Sequence, residues 1–194
     1  MLSTTRSRVR AAATVGMAVL ATAAVTVGLE GAAAAKVVDS NAAVVPLIPD
    51  IIKPPAGSQL VGAYLVAKGT QNYTCVVPAG ATTGAYTGAS VPEAQLIGTG
   101  GRLHHFAGPS WQSVRDGSLV TAAKVESSPR TGAIPELLLK VTSHSGEGVL
   151  SRADYINRLR TSGGVAPTGS CTAGQTVSVP YGSVYVFWDA PAAS

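Results

Sequence analysis

LVGAYLVAKGTQNYTCVV, residues 60–77, is the stretch on which the fold turns. Two runs rich in Val, Leu and aromatic residues flank Lys68-Gly69-Thr70, and in the second run Tyr73, Cys75 and Val77 recur with a period of two. That period puts the three side chains on one face of a strand, and a glycine between two such runs is a turn signal. The stretch reads as strands at 60–67 and 71–77 joined by a hairpin at 68–70, with Cys75 directed inward.

The same texture continues outward from it. Short apolar or alternating runs broken by Gly, Pro, Ser and Thr give further candidate strands at 94–97, 103–106, 119–127, 136–142, 155–160, 176–179 and 184–188. Leu137-Leu138-Leu139 is continuous, which predicts a strand covered on both faces. DYINRLRT, from Asp154, sets Tyr155, Asn157 and Leu159 against Ile156, Arg158 and Arg160 and stops at Gly163-Gly164. It is read as a strand in preference to the helix that Ser151-Arg152-Ala153-Asp154 would open. The expected class is all-β: one antiparallel sandwich or barrel of about eight to nine short strands, closed by one disulfide.

The N-terminal residues have a different character. Arg6, Arg8 and Arg10 precede an uncharged apolar run over 11–29 and the small residues Ala33-Ala34-Ala35, the order of a secretory signal peptide. A leader at 1–35 implies a secreted or extracellular protein, exported by the general route because no adjacent Arg-Arg pair is present. It would carry away three of fourteen Lys and Arg and one of ten acids, leaving about 159 residues with eleven basic and nine acidic groups. No basic cluster then remains to follow a phosphate backbone, so nucleic acid is not an expected partner. No second apolar run is long enough to span a bilayer once the leader is gone. Residues 36–57, with Pro46, Pro49, Pro54 and Pro55, read as a Pro-rich arm whose Leu47, Ile48, Ile51 and Ile52 pack on the body. Cys75 and Cys171 are the only cysteines, and an oxidising compartment predicts their disulfide.

Candidate chemistry concentrates in LHHFAGPSWQSVRDGS, residues 103–118. His104 and His105 are adjacent and would face opposite sides of a strand, so they do not ligate one metal easily. No metal or cofactor is expected: His144 would have to join one of them, and no spacing fits a metal motif or a Gly-rich dinucleotide turn. His105, Phe106, Trp111, Arg115 and Asp116 together supply an aromatic face and convergent polar groups, the ingredients of a ligand-binding surface. A hydrolase-like enzyme built on His105 and Asp116 is the competing reading, although no nucleophile elbow accompanies them. A structural reading makes Trp111 a core anchor, Gly108-Pro109 a tight turn and Asp116-Gly117 a hairpin turn. Binding asks for a concave patch beside Trp111 or Phe106. Catalysis asks for an acid at His105, and a structural role asks for neither.

Several segments in order resemble a family of secreted bacterial and fungal proteins grouped as DUF3455. They are GTQNYTC around Cys75, PEAQL at 92–96, HFAGPSW at 105–111, DGS at 116–118, AIPELLLK at 133–140, YINRLRTSGGVAP at 155–167, Cys171, and VPY near the end. The resemblance covers about 57–189 and implies a β domain at 58–190 followed by a tail at 191–194. It supplies no activity, because the family's function is unassigned. The dehydrogenase label carried by some fungal relatives finds no support in these residues. Glu136 stands where the family pattern has a Trp. The leading functional reading is a secreted domain, not an enzyme, that binds a carbohydrate or small ligand at or outside the cell envelope. An extracellular enzyme and a structural or surface interaction protein are the alternatives.

Overall fold

The structure is a computed structural model that describes residues 45–192. The leader expected at 1–35, the arm residues 36–44 and the tail residues 193–194 lie outside the described residues. Eight strands follow in chain order: β1 (Gln59–Thr74), β2 (Val91–Gly98), β3 (Gly101–Phe106), β4 (Ser110–Ser113), β5 (Leu119–Ser128), β6 (Glu136–Ser145), β7 (Tyr155–Gly163) and β8 (Thr176–Asp189). Each pairs antiparallel with the next, and β8 returns to β1, so the sheet closes into a barrel. Closure satisfies the sheet edges that an open sandwich would have to protect.

The hairpin expected at 68–70 is absent. β1 runs unbroken through it, and the register slips between Val66 and Lys68 against β2 and between Leu65 and Thr70 against β8. The extra residues form a bulge that bends the strand around the barrel wall. Gly69 is required there, because a Cβ would stand 2.8 Å from both the Ala94 Cβ and the Val66 Cγ1. The expected strands at 176–179 and 184–188 are likewise one strand, β8, with Pro180 opposite Thr70 beside the β1 bulge, a place where a missing ladder donor is tolerated. β4 escaped the sequence reading because SWQS offers one large apolar residue in four.

Alternation sorts the side chains. Tyr64, Leu96, Leu103, Trp111, Val120, Leu139, Ile156 and Phe187 fill the interior. On the outer wall Leu138, Leu159 and Val186 form a second cluster with Ile52 of the arm. The leucine run is therefore covered on both faces, Leu137 and Leu139 from inside and Leu138 by the arm. Asn157 fixes that arm: its Nδ2 donates to the Ile52 carbonyl at 2.7 Å, and its Oδ1 accepts from the Trp188 indole at 2.9 Å. Of the four apolar residues expected to hold the arm, Ile52 is fully buried and Ile48 packs beside it, whereas Leu47 and Ile51 face solvent.

The two barrel ends differ. At one end the 146–154 loop folds inward and places Leu150 and Ala153, both fully buried, in the core. At the other end emerge the 75–90, 107–109, 129–135 and 164–175 connections. Cys75 and Cys171 join two of these in a disulfide across 96 residues, as expected from the sequence.

Candidate functional site

An eight-stranded barrel is just wide enough for its side chains to fill, or to hold one small ligand. Here the interior is filled from the 146–154 end to about mid-height. Above that level a cavity of about 220 Å³ opens toward the 107–109 turn, with Gln71, His105, Trp111, Leu139, Arg158 and Tyr185 in its walls. All six are inward positions of their strands, and Val91, Pro92 and Pro109 form the rim.

His105 and Trp111 are paired across β3 and β4. Their rings stack at 4.2 Å, with 4° between the planes. Tyr185 meets both edge-on, and Phe187 closes the far side of the indole at 6.1 Å. This aromatic layer is the cavity floor. His105 Nδ1 lies 2.8 Å from the Ser110 carbonyl, which can only accept, so Nδ1 carries the proton and Nε2 a lone pair. Burial of the ring pushes its pKa down to about 3, and the nearby Arg158 charge adds to the shift while the Ser110 carbonyl opposes it. The imidazole is neutral at physiological pH. Tyr181 and Tyr185, 3.3 Å apart at their hydroxyls, are both pushed above the ordinary phenol range by burial.

Two buried donors in these walls have no partner among the described residues, Gln71 Nε2 and Trp111 Nε1. Gln71 Oε1 accepts from Ser90 Oγ, and the amide NH₂ is turned toward the nearby Tyr181 hydroxyl. The indole N–H has no such neighbour. Leaving a buried N–H unmet costs about 1–3 kcal/mol.

Arg158 is the one charged residue in the cavity wall among the described residues. Its Nε and Nη2 both donate to the Pro135 carbonyl, at 3.2 and 2.9 Å. No carboxylate among the described residues pairs with it. Glu136, which follows Pro135 in the chain, is spent elsewhere: its Oε1 accepts from the Arg160 backbone N–H at 2.6 Å and from Arg130 at 3.1 Å. Arg160 has a φ of 49° where β7 bulges against β8, so the carboxylate caps an irregular backbone.

The structure brings together only two of the five residues singled out in the sequence, His105 and Trp111. Phe106 points outward and lies 4.9 Å from the His104 ring, which bonds Glu93 at 2.7 Å. Arg115 and Asp116 sit in the 114–118 turn, at the opposite end of β4 from the cavity. Asp116 accepts from the Ser118 N–H and hydroxyl and from the Val149 N–H, at 3.1, 2.7 and 3.2 Å. Those bonds, the two to Ser118 foremost, lower its pKa to about 2. The pairing of His105 with Asp116 required by the hydrolase reading is thus not formed, and His105 contacts a carbonyl instead of an acid. His144 is held separately by the Ala153 carbonyl. Among the described residues no group of three His, Cys, Asp or Glu is placed to hold a metal.

Sequence reasoning missed Gln71, Arg158 and Tyr185. For Arg158 the signal was present, because the alternation of DYINRLRT sets it on the face of Ile156. A cation sharing the inward face of a strand is unusual enough to mark a site. Nothing local distinguished Gln71.

Neither the curated proteins nor the solved structures include a match to this chain. The family model described as a protein of unknown function (DUF3455) matches residues 55–189, which take in all eight strands and every wall residue of the cavity. The chain belongs to the DUF3455 family.

Proposed function

We propose that this protein is an exported binding protein that holds one small molecule in the open mouth of its barrel. The observation that carries the reading is the cavity open at one barrel end, whose wall sets the Arg158 guanidinium, unpaired with any carboxylate among the described residues, beside apolar side chains and the Trp111 ring. A ligand acceptor would give that cation a partner. At about 220 Å³ the cavity is smaller than the roughly 300–1,000 Å³ typical of drug-sized sites. It suits a single ring or short chain. A polysaccharide is disfavoured, because Trp111 is only 1 % exposed and His105 covers one of its faces, leaving no open platform for a sugar. A catalytic role has less support, since His105 lacks an acidic partner and its low pKa makes it a weak base.

Export is part of the proposal. The order of basic, apolar and small residues before Lys36 favours it, and a disulfide is at home in an oxidising compartment. Protein recovered outside the cell should begin near Lys36, and intact Met1 on cytoplasmic protein would count against export.

A small-molecule screen followed by NMR of the two indole N–H signals tests the binding site. Trp188 serves as the internal control, because its N–H is already bonded to Asn157. Ligands that raise the melting temperature should move the Trp111 resonance and leave that of Trp188 in place. Hits that leave Trp111 unmoved would place binding elsewhere.

A further inference from the structure

Resting on the proposal that the cavity binds a small molecule, we infer that its ligand is a monocarboxylate with an apolar body, seated through the carboxylate on Arg158. Among the described residues Arg158 is the only charged group in a wall that also contains Val91, Pro92, Leu137 and Leu139. Its Nε and Nη2 are anchored to one backbone carbonyl, which fixes the guanidinium, and its other protein neighbour is the Tyr185 hydroxyl, so no carboxylate meets its charge. A half-buried cation without a counter-ion is a standing cost. A carboxylate relieves it with charge-assisted hydrogen bonds, for which the planar guanidinium is well shaped. Among the described residues no acid lines the cavity to repel an anion, and His105, neutral with its Nε2 lone pair, adds no second positive charge. One cation in an apolar cup matches one negative charge. A dianion would be left half-neutralised, and a cationic ligand would meet Arg158 directly. The floor, with the His105 lone pair, is left to serve a hydroxyl or similar group on the ligand's other end.

The test compares benzoate, its uncharged isostere benzamide and inorganic phosphate on the intact protein by calorimetry and by the Trp111 indole signal. Benzoate should bind at least about tenfold more tightly than benzamide, the ratio expected for a charge-assisted bond over a neutral one. Phosphate, lacking an apolar body, should compete poorly. Arg158→Gln should abolish the benzoate preference while keeping the benzamide affinity. Arg158→Lys, which keeps the charge and loses the fork, should fall between the two and guards against a folding defect in the first variant. Equal binding of benzoate and benzamide would overturn the carboxylate assignment and leave the binding site standing. Phosphate competing as well as benzoate would overturn the apolar body. Binding of neither aromatic compound, with Trp111 unmoved by any screened molecule, would overturn both the assignment and the site.

Discussion

The two ends of this barrel solve one packing problem in opposite ways. At the 146–154 end the loop supplies its own core residues, Leu150 and Ala153, and its backbone N–H groups are met by Asp116 and Ser118. At the 107–109 end Ile134 alone among the described connection residues joins the core, and the inward positions include Gln71, His105 and Arg158 where the other end carries apolar groups. A polar group facing an unfilled interior is costly unless something binds it. The sealed end contributes stability, and the open end retains polar groups whose partners are incomplete. That division separates a site from the scaffold that holds it.

The largest test of the contrast is Leu150→Ala. Truncating a fully buried leucine costs about 2–5 kcal/mol, so urea denaturation should show a loss of that size. Pro109→Ala on the open rim should change stability by no more than about 1 kcal/mol. Equal effects would mean that the 146–154 loop is no more a part of the core than the rim, and the contrast would fail.

The sequence disclosed the scaffold more readily than the site, and particular residues show why. Alternation identified the strands because burial on one face is a local pattern, and it set His104 and His105 on opposite faces. The bulge at Gly69 was misread as a turn, since a glycine that permits close backbone approach looks the same in sequence as one that permits a reversal. The cavity could not be read from the 103–118 segment. Its walls come from β1, β2, β3, β4, β6, β7 and β8, and only barrel closure brings Arg158 opposite the His105–Trp111 stack. Closure also sends the polar groups of that segment apart. His105 goes to the cavity, Phe106 to the outer wall and Asp116 to the sealed end, although twelve residues span all three.

The second test uses acid. His105 has a native pKa of about 3 against an ordinary 6.5. Between those values the unfolded chain binds a proton that the native state does not, so stability falls as pH falls, by about 1.4 kcal/mol per unit. Urea titrations should show a loss of about 2–3 kcal/mol between pH 7 and pH 4.5, an interval that ordinary carboxylates enter only at its acid end. His105→Phe, which keeps a ring against Trp111 and cannot take up a proton, should flatten that interval. A flat interval in the native protein would show that the ring charges freely and that the open end is wetter than its packing indicates.

The smallest effect belongs to Asp116, whose role lies in bracing the sealed end. Asp116→Asn removes the charge and substitutes a donor for one of the two carboxylate oxygens that accept from Ser118 and Val149. It should lower the melting temperature at pH 7 and speed hydrogen exchange at the Val149 amide. The native carboxyl has its pKa lowered to about 2 from 3.8, so its stabilisation is fully present above 3.8 and is lost as pH falls through about 2. The gap between native protein and variant should therefore narrow as the pH is taken from 5 toward 2. Benzoate affinity is the other half of the measurement. It should be the same in the variant, because Asp116 and the cavity lie at opposite ends of β4 with the aromatic layer between them. A change in affinity would mean that bracing one end shapes the other, and the aromatic floor would then be a coupling element between site and scaffold in place of a partition.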